Sequence, residues 1–569
     1  MFKNIFLILP KKAKIRFIKT LILSFFSSVL ELLSLGLIIP IIYVVINPEN
    51  ELLVQIISFL KIKFNFSTEN INDYLIASLI VIFILKTIFL SFFAKYQQVF
   101  KRNIRVNLSQ HLFRKYLNLQ YIKASKKSFA EMQRNIDNET LRFSDLILSY
   151  TMFINEFMMA ITIIVFLFFF NFNITLILSV IFILMFGLLY LTLRNKFKSW
   201  GVKGQEAFKN YNNTILQTFN NLRETKLQGK EDFFTKKFEI DINKKNRYEY
   251  NHRLFSTLPR YFIELTAVLL IFLVLFVMLE NDYDLDYVLA TLGLFAYASV
   301  RLLPILNKLT NLIGQIKYFS NSAELILNEL SYVEKYHKLN HRKDLKNKNI
   351  KSIELKNINF AYKKKYVLKD TSFKLNKGVI TGIYGPSGSG KTTLLDILSS
   401  LIIPDNGEIL INNETVNSKE FFWGKEISYI SQSTDLFNDT IEYNISFGEK
   451  PENIDKKKMD FSLNASNLKN FIKELPEGLS TKVGEKGSQI STGQKQRINI
   501  ARAFYNNAKV LIMDESTNSL DLENETSIFN DIAKLKKDLI VIIVSHNKNL
   551  LRKFCDQLYE LNNFKVTKI

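Results

Sequence analysis

Six apolar segments, at roughly 17–46, 73–98, 147–170, 173–195, 257–280 and 286–313, dominate the N-terminal half of the chain, and each is long enough to cross a bilayer. Hydrocarbon offers backbone N–H and C=O groups no water to bond with, so a run of this length satisfies them internally and reads as a helix. The C-terminal part is different. From residue 352, short apolar runs alternate with polar, charged stretches, as in a water-soluble α/β domain. A chain of 569 residues, 48% of them hydrophobic, accommodates both parts. The expected fold class is an all-α transmembrane domain of six helices over 1–331, a charged linker over 332–351, and an α/β domain over 352–569.

The net charge of +22 fits either nucleic-acid binding or a membrane protein with its basic residues on one side. Its placement favours the membrane. Lysine and arginine crowd the long polar stretches between spans two and three and between spans four and five. The link after span five carries Glu280, Asp282, Asp284 and Asp286 without a base, which suits the outer face. With Lys11, Lys12, Lys14 and Arg16 ahead of the first span, the N-terminus and the C-terminal domain belong to the cytoplasm, and no nucleic acid is expected as partner. The first apolar run exceeds a signal-peptide core and reads as an uncleaved span. One cysteine, Cys555, excludes an intrachain disulfide framework, and the five histidines show no metal spacing. Between the first two spans, Pro48–Asn70 is either a short external helix at the membrane surface or an ordinary re-entering loop.

The C-terminal part contains GPSGSGKTT: Gly385, Pro386, Ser387, Gly388, Ser389, Gly390, Lys391, Thr392 and Thr393. An apolar strand pattern precedes it and a helical one follows, the context that a phosphate-binding loop needs. Glycines let backbone N–H groups wrap phosphates at a helix N-terminus, Lys391 bridges two of them, and Thr392 offers a hydroxyl to Mg²⁺. Downstream, the run KVLIMDE ends in Asp514 and Glu515, two carboxylates at the end of a buried strand. Asp514 suits Mg²⁺ coordination and Glu515 the base that polarises an attacking water. The alternative is an acidic pair that merely caps the next turn.

Ile490–Gln494, ISTGQ, followed by KQRINIARA, resembles the signature motif of ATP-binding cassette proteins, and it precedes the Asp–Glu strand at that family's distance. The resemblance implies a cassette that binds ATP and Mg²⁺, and it extends over nearly all of 352–569. It implies that Tyr362 stacks on adenine and that Gln432 senses Mg²⁺ and the γ-phosphate. Asp521 would belong to the D-loop, and His546 would hold the γ-phosphate. TKVGEKG, Thr481 to Gly487, resembles a segment of exporters in this family. In the family the signature of one subunit completes the ATP site of another, so Ser491, Gly493 and Gln494 imply a dimer of cassettes, and the presence of both Glu515 and His546 implies a homodimer with two hydrolytic sites. Thr492 departs from the pattern, which has glycine there, and puts the rate of turnover in question. Six spans before one cassette resemble a half-size exporter, with helical turns near 120–135 and 218–232 as its coupling helices.

Cargo is read from charges within the spans. Lys86 lies in the second span, Arg260 opens the fifth, and Arg301 and Lys308 share one face of the sixth. A basic residue at mid-membrane depth costs about 2.5 to 3.5 kcal/mol by insertion scales, a cost that an anionic cargo would offset. Otherwise Arg260 and Lys308 snorkel to the interface while Glu31 and Glu264 neutralise neighbours. The pieces LPRYFIE and RLLPILNK resemble bacterial flippases of lipid-linked oligosaccharides, of the PglK type. That resemblance implies a polyprenyl-pyrophosphate glycan as substrate and a bacterial inner membrane as location. The alternatives are an exporter of lipids, drugs or peptides, or a membrane protein that uses the cassette as an ATP-driven regulatory switch.

Overall fold

The long apolar runs become helices that continue well past their apolar stretches. A computed structural model of the chain describes residues 8–36, 71–280, 285–336, 343–344, 349–363, 365–417, 421–431, 435–515 and 522–569, so the segment 48–70 lies outside the described residues. These fall into two units, one of Met1–Leu119 with Lys126–Tyr336, the other of Gln120–Ser125 with His337–Ile569.

In the first unit α1 is Lys11–Gly36 and α2 is Ile71–Leu117. The short α3, Tyr121–Ala124, groups with the second unit. The first unit resumes with α4 (Phe129–Arg134), a π turn (Asn135–Glu139) and α5 (Thr140–Phe170). It continues through α6 (Phe172–Asn220), α7 (Leu222–Leu227), α8 (Glu231–Thr257), α9 (Pro259–Glu280) and α10 (Leu285–Lys335). Helices α2, α6 and α10 hold 47, 49 and 51 residues. At 1.5 Å per residue each is about 70 Å long, more than twice the thickness of a hydrocarbon core. The basic stretches between spans are therefore mostly extensions of the spans themselves.

Local chemistry sets the breaks. The Ser128 side chain accepts the Glu131 N–H and caps α4. Asn221 ends α6 with its amide on the Gln217 carbonyl, and Pro259 opens α9 at a position that needs no intrahelical N–H. Five described helical stretches are long and apolar enough to cross a membrane. The fourth expected span, 173–195, falls within α6.

Met159, Ile163 and Leu167 of α5 pack against Leu294, Phe295 and Ala298 of α10. At Gly201, α6 and α10 approach closely, since a methyl group there would strike the Tyr318 carbonyl. Side chains of α5, α6 and α10, such as Phe153, Phe157, Leu302 and Leu306, line an open cavity of about 870 Å³.

The second unit carries two large sheets and a small parallel pairing of Lys343–Asp344 with Phe421–Phe422. An antiparallel one is built from β1 (Ser352–Tyr362), β2 (Lys365–Asn376), β4 (Asn406–Ile411) and β5 (Glu414–Val416), in the order β2-β1-β4-β5. The other holds β3 (Ile380–Tyr384), β6 (Ile427–Ile430), β7 (Val510–Asp514), β8 (Ile540–Val544), β9 (Gln557–Asn562) and β10 (Lys565–Lys568). Its order is β10-β9-β3-β8-β7-β6, parallel except for β10. All five residues of β8, IVIIV, are buried, as expected of a parallel strand covered on both faces.

Between the sheets lies α11 (Lys391–Leu398), with Leu394, Leu395, Ile512 and Ile542 in one core. A helical region follows, comprising α12 (Ile441–Ser446), α13 (Lys456–Ala465), α14 (Lys469–Glu474) and α15 (Thr492–Tyr505). It packs around Ile441, Leu463, Ile472 and Ile498. Ile122 of α3 packs against the core between the sheets.

Candidate active site

Parallel strands β3, β7 and β8 deliver three pieces of sequence to one edge. The register sets Val544 of β8 opposite both Ile383 of β3 and Asp514 of β7. The phosphate loop leaves β3 at Gly385, Asp514 and Glu515 end β7, and His546 lies just past the end of β8. This carboxyl edge is where open α/β sheets take ligands.

The loop is shaped by its glycines. A side chain at Gly385 would strike the Leu561 carbonyl. Gly390 sits at φ 106°, and a methyl group there would come within 2.7 Å of Val367 Cγ1. Lys391 donates to the Gly385 carbonyl at 2.8 Å and to that of Pro386 at 3.0 Å, so the ammonium lies over the loop. Burial pushes its pKa down, against the opposing pull of the Glu515 and Asp514 carboxylates. Ser389 Oγ is buried without a hydrogen-bond partner, an orphan of the kind that a phosphate oxygen satisfies. Thr392 is exposed on the first turn of α11. With Asp514 it presents the hard oxygen donors that Mg²⁺ takes, so these residues fit a magnesium nucleotide.

Glu515 accepts from His546, Nε2 to Oε1 2.6 Å, and its backbone N–H bonds the Val544 carbonyl at 3.0 Å. Its φ of 49° turns the chain sharply off the strand end, which a non-glycine residue adopts only when its neighbours hold it there. Asp514 accepts from the Tyr429 hydroxyl at 2.7 Å. Asp396 in α11 is pushed up to about 6, first by burial and then by the Asp514 charge. Tyr362 ends β1 partly exposed, its ring edge-on to Phe360.

Ser491 caps α15, accepting from Gln494 N–H at 3.2 Å while Gln494 Oε1 accepts from Ser491 N–H at 2.8 Å, a reciprocal capping box. Thr492 takes the first helical position, with Gly493 next. Gln432 and Asp521 lie outside the described residues.

In the first unit Lys86 and Arg301 meet at Glu31. Lys86 Nζ is 2.5 Å from Glu31 Oε2 and donates to Ser34 Oγ at 3.1 Å. Arg301 Nε is 3.7 Å from Glu31 Oε1 and donates to the Tyr297 hydroxyl at 3.1 Å, with its guanidinium over the Phe83 ring. Glu31 is 2% exposed and Arg301 33%. Lys308 pairs instead with Glu156 at 2.6 Å, and Arg260 with Glu264 at 2.6 Å on the outer face of α9.

Sequence reasoning missed Tyr429, Tyr297 and Glu156. Glu156 carried a readable signal, a carboxylate inside an apolar span. The other two are ordinary aromatics until strands and helices bring them to their partners.

A "Probable ABC transporter ATP-binding/permease protein" of Haemophilus influenzae is 36% identical over 260 residues, 46% of each chain. An "ATP-dependent lipid A-core flippase" of Saccharophagus degradans is 35% identical over 218 residues, 38% of this chain and 37% of that one. The chain thus spans less than half the length of either relative. In fold it is similar to a bacterial Atm1-family ABC exporter solved with ATP bound, with TM-score 0.76 at 17% identity over 98% of this chain and 94% of that one. Residues 368–518 match the family described as ABC transporter, and residues 17–302, just over half of the chain, match its transmembrane region: the chain belongs to the ABC transporter family.

Proposed function

We propose that this chain is one half of an ATP-driven exporter, working as a homodimer in a bacterial inner membrane with the cassette in the cytoplasm. Its cargo is an anionic amphipath, a lipid-linked oligosaccharide of the polyprenyl-pyrophosphate class. The hydrolytic reading is carried by the Lys391, Asp514, Glu515 and His546 side chains on one sheet edge. The phosphate loop and Lys391 bind the β- and γ-phosphates, with adenine on Tyr362. Ser491, Gly493 and Gln494 of a second copy close over the γ-phosphate, and Asp521 is assigned to the D-loop by the resemblance alone. Glu515 takes a proton from the attacking water as its oxygen bonds to the γ-phosphorus. The bond to the β–γ bridging oxygen breaks, and ADP leaves with the electron pair. His546 moves from the Glu515 carboxylate to the γ-phosphate as the site fills. Mg²⁺, held by Thr392, Asp514 and Gln432, would neutralise charge on the phosphates. Closure of the cassettes favours an outward-facing arrangement of the spans, and hydrolysis resets it.

The cargo reading rests on one imbalance. Among the described residues, Glu31 is the one carboxylate set against both Lys86 and Arg301 within apolar spans. Lys86 takes the short contact, so the uncompensated positive charge falls to Arg301, the more exposed of the two. A pyrophosphate would meet it, while the mostly apolar walls of the cavity suit a lipid chain. Lys308 and Arg260 are the further cations of the proposed path, each already paired. The apolar cavity also keeps alive a second reading, an exporter of lipids without a glycan.

The two are separated by Arg301→Ala in proteoliposomes given labelled lipid-linked oligosaccharide, phospholipids and dyes. The flippase reading expects glycan translocation to fall at least about tenfold, as loss of a charge-paired contact implies, with basal ATPase within about twofold. Equal losses in both would make Arg301 structural and remove the support for an anionic cargo.

A further inference from the structure

Tyr429 stands on β6 opposite Ile512 of the parallel strand β7, and its hydroxyl reaches two residues further along to Asp514 Oδ2 at 2.7 Å. The ring packs against the apolar core between the sheets. Its hydroxyl is thereby carried on a rigid arm to the open edge where the phosphate loop and Glu515 also end. An ionised carboxylate has two oxygens and about four acceptor directions, and the phenol uses one of them on one oxygen. Among the described residues, only the Tyr429 hydroxyl bonds the Asp514 carboxylate, leaving Oδ1 for other partners. A carboxylate at a strand end has a soft terminal torsion, and fixing it beforehand removes an ordering cost at the moment of ligation.

We propose that Tyr429 is a positioning residue for the divalent cation of the bound nucleotide, holding Asp514 in the orientation from which it meets the metal's hydration shell. The inference rests on the assignment of Asp514 to Mg²⁺ given above. Nothing in the motifs marks Tyr429 for this role; it follows from the strand register and one hydrogen bond. Tyr429 touches neither nucleotide nor metal in this account and acts only through Asp514.

Tyr429→Phe removes the hydroxyl and keeps the ring. The test uses the full-length protein in detergent with a non-hydrolysable ATP analogue, Mn²⁺ as paramagnetic probe, and analogue binding in EDTA as the control. The expected result is a rise of about tenfold in the Mn²⁺ concentration for half-saturation, the scale typical of lost outer-shell partners, with metal-free analogue binding unchanged. An unchanged Mn²⁺ half-saturation would overturn the proposal. So would a loss that parallels weakened metal-free binding, which marks Tyr429 as a packing residue. If the wild-type protein binds the analogue but takes up no Mn²⁺, the assignment of Asp514 fails, and the proposal with it.

Discussion

Asp396 sits in α11 behind the phosphate loop, and burial together with the Asp514 charge raises its pKa to about 6 from the ordinary 3.8. Below about pH 3 the carboxyl is protonated in folded and unfolded chains alike and contributes nothing. As pH rises from about 3 to 6 the unfolded chain ionises first, so the fold loses stability, and above about 6 the loss levels off. Asp396→Asn removes it. At pH 7.5 the variant should gain about 1 to 2 kcal/mol, less than the full shift because the site is partly accessible, and at about pH 3 nothing. Melting of the solubilised protein followed by Trp423, buried in the second unit and donating to the Leu398 carbonyl at 2.6 Å, reads this directly. A gap of the same size that persists at about pH 3 would contradict it.

At this scale the residues legible in the sequence were those whose chemistry is local. Lys391 and Thr392 fall within one loop, and Asp514 and Glu515 are adjacent. The contacts of Lys86 with Glu31 and of Tyr429 with Asp514 join positions far apart in the chain, so only packing reveals them. Arg260 and Glu264 are the exception, four residues apart on one helix face.

At the scale of elements, α15 carries two functions on one residue. The Ser491 side chain caps the helix, and in the proposed dimer it also faces a γ-phosphate. Two substitutions separate these roles. Ser491→Ala should cost about 1 kcal/mol of stability by leaving a helical N–H unsatisfied. Ser491→Asp keeps a competent cap and so the melting temperature, but its negative charge against phosphate should lower ATPase about tenfold or more. Comparable destabilisation by both would mean that the cap is not what Ser491 supplies.

Helix positions were readable from apolar runs, but helix lengths were not. Nothing in the hydrophobic pattern of α2, α6 or α10 says that the polar residues beyond the span stay helical, because an extended helix in water buries only part of its surface. The fourth span shows the same: its apolar residues continue to Leu193, while the helix runs on to Asn220.

At the scale of the molecule, the division between a helical unit and a sheet-bearing unit follows the change in composition. Gln120–Ser125, from the middle of the membrane half, nevertheless groups with the second unit. A sequence shows where a polar turn falls, and only three-dimensional contact shows which body it joins. The proposed cargo was the least legible property, since its reading rests on one buried carboxylate near two cations on different helices.

The central claim is that ATP turnover at Glu515 drives the movement of an anionic lipid-linked glycan, and the most direct measurement compares wild type with Glu515→Gln in sealed proteoliposomes. ATP binding, hydrolysis and translocation of a labelled polyprenyl-pyrophosphate oligosaccharide are followed together. The wild type should hydrolyse ATP and move the glycan only when ATP is supplied. The variant should bind ATP as tightly while losing both hydrolysis and sustained translocation. Turnover at the wild-type rate in the variant, or glycan movement that does not depend on ATP, would contradict the account.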